Sequence, residues 1–210
     1  MTFNSYAIQA QIIDIRVDTP KAEDAFFVDT NVWYWMTYTR ASQITWRRVA
    51  ERYQLEHYPT YTTNALQAKA KIFKSGLTLA ELTHLIEKTE FEIYVGKSKA
   101  KMKIKEFRHF SAQRQQVTAE IEAAWMQVTS MADPLTLTID TSTVNAALCS
   151  LQRDEVDGYD LFYLESMKKH GVVQIITDDS DFATVSGIQV FTANENLIKE
   201  ARVQGKLLTR

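Results

Sequence analysis

The sequence predicts an α/β protein: a three-layer α/β/α fold on a central, mostly parallel sheet, with a helical insertion. Three observations predict it. Short apolar runs of the buried-strand kind, Phe26–Val28 and Val172–Ile176, end abruptly in acids. Strand-like and helical segments alternate along most of the chain, as they do in parallel sheets crossed by helices. A helical stretch from about Phe91 to Ser130 interrupts the alternation and reads as an insertion into a single domain spanning 1–210. Residues 1–24 read as an N-terminal extension of that domain.

Taken in order, Ile8–Val17 alternates loosely and is β-branched, a strand closed by Thr19-Pro20. Phe26–Val28 is a buried strand with Asp29 at its C-terminal edge, and an aromatic-rich helix follows from Thr30 to about Arg40. Ser42–Tyr53 reads as a second helix, with Pro59 breaking the chain after it. Asn64–Lys74 reads as a third, stopped by Ser75-Gly76. Thr78–Lys88 carries Leu79, Leu82, Leu85 and Ile86 on one side, the mark of a packed helix. Phe91–Val95 is a short apolar piece before Gly96, and Lys97–Met126 a long helix or helical pair, ended by Asp133-Pro134. Leu135–Ile139 is a strand and Ser142–Leu151 a helix. The helix Leu161–His170 is closed by Gly171, the residue type that best tolerates the left-handed cap. Two strands, Val172–Ile176 and Ile188–Thr192, and a helix from Glu195 to about Gln204 follow.

Composition narrows the function classes. Lys+Arg of 24 against Asp+Glu of 26 leaves a net charge of −2, so no global basic signal points to nucleic acid. A divalent metal could still neutralise phosphates at a site. The single Cys149 excludes an intramolecular disulfide and suits a reducing cytosol; among alanines and leucines it reads as a buried thiol. No signal peptide or membrane-length apolar run is present, so the expectation is a soluble cytoplasmic protein. The four histidines are scattered without a zinc-type pair, and the six glycines form no phosphate loop or nucleophile elbow. Alternating Lys97, Lys99, Lys101, Lys103 and Lys105 form the densest basic tract, a solvated face or a contact for a phosphate backbone.

The acids carry the functional signal. Asp178, Asp179 and Asp181 crowd the end of one apolar strand and Asp29 ends another. Glu81 and Asp160 each read as standing in the first turn of a helix, where side chains tilt back toward the N-terminus. In a right-handed parallel arrangement all four groups meet at the C-terminal edge of the sheet, where ligands bind. Each has a plain structural alternative. Asp29 could cap a helix, Thr78 and Glu81 fit a capping box, Asp157 and Asp160 could complement a helix dipole, and Asp179 and Asp181 could be turn residues. Convergence favours a cation instead, because crowded carboxylates repel one another, and an all-oxygen set suits Mg²⁺ or Mn²⁺ rather than Zn²⁺.

In sequence order, FFVDTNVW, the Ala80-Glu81-Leu82 helix start, YDLFYLESMKKHG and IITDDSDF resemble the four acidic motifs of PIN-domain ribonucleases. The resemblance spans about Ala25 to Asn194. It implies a metal-dependent endoribonuclease holding Mg²⁺ or Mn²⁺ on Asp29, Glu81, Asp160 and the Asp178/Asp181 pair. Asp179 stands as an alternative ligand in the last motif, and Asn31, Thr177, Asp179 and Asp157 stand as supporting groups. RNA is the implied substrate. A toxin role would add an antitoxin protein, and homodimers are common in the family. Bulky Phe162, Tyr163 and Met167 depart from the compact toxins, which tend to carry alanines there. A phosphatase of the haloacid dehalogenase kind would need an acid where Asn31 stands. The remaining alternative is a non-catalytic PIN-like scaffold that binds RNA or protein without cutting.

Overall fold

The computed structural model describes residues 7–41 and 52–210. In chain order the strands are β1 (Gln11–Asp14), β2 (Ala25–Val28), β3 (Lys71–Ser75), β4 (Asp133–Leu135), β5 (Gln174–Ile176) and β6 (Gln189–Thr192). They form one sheet in the order β1-β6-β5-β2-β3-β4, and every pairing is parallel. From β2 the chain first builds to one side through β3 and β4, then crosses to the other through β5 and β6. The reversal falls between β2 and β5, the switch point where open α/β sheets form a crevice.

Alternation along the central strands splits the core into two layers. On β2, Phe26 and Val28 face one side with Ile176 and Phe191, whereas Phe27 faces the other with Ile175 and Val190. The first side is covered by α1 (Thr30–Thr37), α2 (Arg52–Gln67), α3 (Leu77–Ser98), the single turn α4 (Ile104–Phe107) and α5 (Ser111–Met131). The second is covered by α7 (Gly158–His170) and α8 (Glu195–Val203), with α6 (Thr141–Arg153) packed on α7. Phe26 meets Phe191 edge-on at 4.8 Å, and Phe27 meets Tyr163 at 5.1 Å. Each such buried aromatic contributes roughly 1.5–3 kcal/mol by removal from water. The three-layer α/β/α architecture is therefore the one expected.

Several elements differ from expectation, each for a local reason. Lys71–Ser75 is a strand, not the end of a helix: α2 stops at Gln67 and Lys69 turns left-handed at φ 63°. Lys74 is buried in that strand, its Nζ donating to the Ala132 carbonyl beside the Trp125 ring. Pro59 does not break the chain but lies inside α2. The turn around it is held by the buried rings of Tyr58 and Tyr61. Residues 42–51 of the expected second helix lie outside the described residues. Phe91–Val95 and Gly96 continue α3, which ends where Lys99 adopts φ 57°. Lys97–Met126 resolves into the end of α3, the turn α4 and most of α5, and Phe91 and Tyr94 pack on Phe107 at the end of α4 at 5.6 and 5.4 Å. Asp133-Pro134 belongs to β4, an edge strand, where a missing N–H is tolerated. The strand ends at Leu135, so Thr136 to Ile139 are not part of it. Cys149 is exposed on α6 rather than buried, because Ala147 and Ser150 take the inward face.

Two polar clusters brace the frame. Glu87 and Glu90, buried on α3, pair with Arg108 and Arg114, and with Arg40 and Tyr38, tying the α4–α5 unit to the core. Arg210 bridges Asp18 at 2.9 Å and Asp24 at 2.5 Å, with its guanidinium 4.5 Å from the Phe191 ring.

Candidate active site

Asp29 follows β2 directly, and its backbone N–H donates to the Ile176 carbonyl at 3.1 Å, so the β2–β5 pairing fixes its position. Its carbonyl opens α1 by accepting from Val32 and Trp33. The side chain makes no capping bond, which sets aside the capping alternative, and Asp29 is 2% exposed. Thr177, just past β5, donates its hydroxyl to Asp29 Oδ2 at 2.7 Å and accepts from the Asp179 backbone N–H at 2.9 Å. One threonine thus orients the first acid and the loop bearing another.

Glu81 lies in the second turn of α3. No capping box forms there: Gly76 is the N-cap, and Thr78 accepts instead from the Ser75 N–H at 3.3 Å. Glu81 Oε2 accepts from the Tyr163 hydroxyl at 2.8 Å, and that hydroxyl lies 2.9 Å from Thr30 Oγ1. Asp160 sits in the first turn of α7, half-buried.

The electrostatics show which acids share a space. Burial raises the Asp29 pKa to about 7, reinforced by the charge of Glu81 and then of Asp179, against the lowering hydrogen bond from Thr177. Burial likewise raises Asp160 to about 9, with Asp29, Asp179, Glu81 and Asp157 adding repulsion in that order. Asp29, Glu81, Asp160 and Asp179 therefore form one field of negative charge at the switch point. Among the described residues none of the four has an ion-pair partner. Carboxylates so placed hold protons or a cation. The all-oxygen donor set fits a hard divalent ion, Mg²⁺ or Mn²⁺, in chemistry and in charge. The spacing is looser than a closed shell: among the described residues no three His, Cys, Asp or Glu side chains stand ready to hold one ion.

The PIN-domain family model matches residues 26–188, from β2, the strand before Asp29, through the last acidic loop to the residue before β6. The chain belongs to the PIN-domain family. No curated protein and no solved structure matches it. PIN domains are a nuclease-type family, generally dependent on divalent metal, and the acids gathered here all lie within the matched residues.

Within the PIN domain the last motif departs from the sequence reading. The sequence favours Asp178 and Asp181 as the pair, but it is Asp179 that joins the field around Asp29 and Asp160. Asp178 turns toward α2, where its carboxylate accepts from Gln54 Nε2 and the Tyr58 hydroxyl, each at 2.6 Å, and from Tyr53 at 3.0 Å. Its charge is met by those donors. Asp181, itself exposed, opens a 3-10 turn, and its backbone N–H donates to Asp179 Oδ1 at 2.9 Å. Partial desolvation of its carboxyl raises its pKa, with further repulsion from Asp179, Asp157 and Glu155, so it flanks the field on the α7 side. Asp157 is the N-cap of α7 without a side-chain bond. Asn31 is half-buried and lines a cavity beside the acids. No helix among the described residues is long and apolar enough to cross a membrane.

Tyr163 escaped the sequence reading as a site residue, although its spacing offered a signal. It lies three residues after Asp160, hence on the same face of α7. Tyr53, Gln54 and Tyr58 offered none, because their partner Asp178 is more than a hundred residues away.

Proposed function

We propose that the chain is a divalent-metal-dependent endoribonuclease whose metal, Mg²⁺ or Mn²⁺, is held by Asp29, Glu81, Asp160 and Asp179. The observation that carries this reading is the burial of Asp29, 2% exposed, with half-buried Asp160, Glu81 and Asp179 beside it and no ion-pair partner for any of them among the described residues. Two carboxylates raised to about 7 and about 9 at the sheet's switch point lack a positive charge. When bound, a divalent ion supplies an activated water and a clamp on phosphate oxygens. The chain's own residues set the stage for it. Thr177 keeps one lone pair of Asp29 occupied and so fixes which way the carboxylate points. Tyr163 does the same for Glu81 while tying it to Thr30. Asp181 and Asp157 extend the negative rim and raise the local attraction for a cation.

The test is cleavage of end-labelled RNA with Mn²⁺ or Mg²⁺, with and without EDTA, beside Asp29→Asn. Cleavage by the wild type that is lost with both chelator and mutant supports the reading. Equal cleavage by mutant and wild type would overturn the site. Failure of both to cut or to bind metal, with the fold intact, would favour the scaffold reading.

A further inference from the structure

A cavity of about 1140 Å³ opens beside the acids and shares Asn31 and Asp179 with them. It exceeds the roughly 300–1,000 Å³ usual for small-molecule sites, which suits a segment of polymer. Its walls are α1, α2, α3 and the start of α8. Trp35 lines it while resting on Tyr58, ring centroids 5.3 Å apart, so an indole is held in a fixed attitude at the wall. Lys88 and Glu92 line it from α3, about two turns and three turns beyond Glu81. Neither has an ion-pair partner among the described residues.

Apart from Asp179, which belongs to the acid field, three further charges in the wall are answered. Asp178 is covered by donors from α2, Glu195 pairs with Lys199 at 3.1 Å, and Arg16 pairs with Asp14 at 2.7 Å. Among its described residues the cavity therefore offers a flat aromatic surface, an unspent cation and an unspent acceptor. That is the complement of a single nucleotide with an exposed base, rather than of a run of phosphates. A base inside a duplex cannot present its face to an indole.

We propose that this cavity holds one unpaired nucleotide adjoining the cleaved bond, with its base stacked on Trp35, its phosphate on Lys88 and an exocyclic amino group on Glu92. The proposal rests on the ribonuclease reading for the bond that is cut, but binding is separable from cutting. The experiment is fluorescence anisotropy of the wild-type chain in EDTA with labelled decacytidylate, decauridylate and a blunt-ended hairpin whose stem is closed by a non-nucleotide polyethylene glycol linker, so that it carries no unpaired base. Single strands should bind more tightly than the hairpin, and decacytidylate, which carries amino groups, more tightly than decauridylate. Trp35→Leu, which keeps an apolar contact with Tyr58, should weaken single-strand binding roughly tenfold, the effect of losing one base–aromatic stack. Lys88→Ala should lower the slope of log affinity against log salt by about 0.7, one phosphate contact to a single strand. Glu92→Ala, which removes the acceptor, should erase the preference for cytosine. Affinity unchanged by both Trp35→Leu and Lys88→Ala, with circular dichroism intact, would overturn the proposal, as would equal binding of hairpin and single strands. Binding that follows these expectations without cleavage in any metal would sink the nuclease reading alone. Metal-dependent cleavage indifferent to all three variants would sink this one alone.

Discussion

Asp29 is a buried acid facing other acids, and its replacement separates function from stability. Asp29→Asn keeps an oxygen for the Thr177 hydroxyl while removing the charge that burial and Glu81 oppose. The variant should lose metal-dependent cleavage yet melt at a higher temperature than the wild type at pH 8 in EDTA. A gain of ~1 kcal/mol would appear as about 2–4 °C in a chain of this size. A lower melting temperature would mean that the carboxylate stabilises the frame by contacts other than those seen. The neighbouring pair gives the opposite contrast. Asp178→Ala removes the charged acceptor of the buried Tyr58 hydroxyl, which keeps only the Ala193 N–H, Thr192 and the Thr177 carbonyl, and should cost about 1–3 kcal/mol in urea unfolding. Asp179→Asn should leave stability near the wild type and depress cleavage. If the two variants exchanged these phenotypes, the assignment of Asp179 over Asp178 would be wrong. At this scale the sequence disclosed which acids end strands and start helices, because the strand pattern exposes them. It did not disclose which way adjacent aspartates point. That depends on Thr177 binding the Asp179 N–H and on phenols arriving from α2, contacts between residues far apart in the chain.

Helix α2 is the element that carries those phenols, and it does so with a proline inside it. Pro59 has no N–H for the carbonyl four residues back, and an interior proline costs an α-helix up to about 3 kcal/mol relative to alanine. Pro59→Ala should therefore move the urea midpoint upward without changing the slope, since the surface exposed on unfolding is unaltered. A lower midpoint would show that the ring itself packs productively. The same element shows why helix and strand boundaries were only partly legible. Gly171 closing α7, the polar start of α8 and the apolar strands β2, β5 and β6 are written in local residue types. Lys71–Ser75 is not: two lysines in five residues read as the polar side of a helix, and only burial of the Lys74 stem between β2 and β4 makes a strand of it. Pro134 and Pro59 misled in the same way. Tertiary packing decides what a proline interrupts, an edge strand and a well-anchored helix both accommodating it.

Across the whole molecule the unmet charge of the site should appear as a pH dependence of stability. Folded Asp29 and Asp160 keep protons up to about pH 7 and about pH 9, whereas unfolded aspartates release theirs near 3.8. Between those limits the folded chain binds more protons than the unfolded one, so stability falls as pH rises. Asp14 and Asp24, whose pKa values are lowered by Arg16 and Arg210 despite burial, act only below that window. In EDTA the melting temperature should decline from pH 5 to pH 9, and Mn²⁺ should restore most of the loss at the alkaline end. A melting temperature that is flat in EDTA over that range would show that the acids do not burden the fold.

The parallel sheet also sets a timetable. Val28 pairs with Ile176, and Gln11 pairs with Gln189, so the strand carrying the first acid waits for one made near the end of the chain. While synthesis is under way, β2 and β3 can pair, but the crevice between β2 and β5 does not exist until the stretch beginning at Val172 has left the ribosome. A nascent chain stalled before Val172 holds Asp29, Glu81 and Asp160 without the Thr177–Asp179 loop that completes their surroundings. Until that stretch emerges, the acids already made stand apart from the loop that joins them in the finished fold.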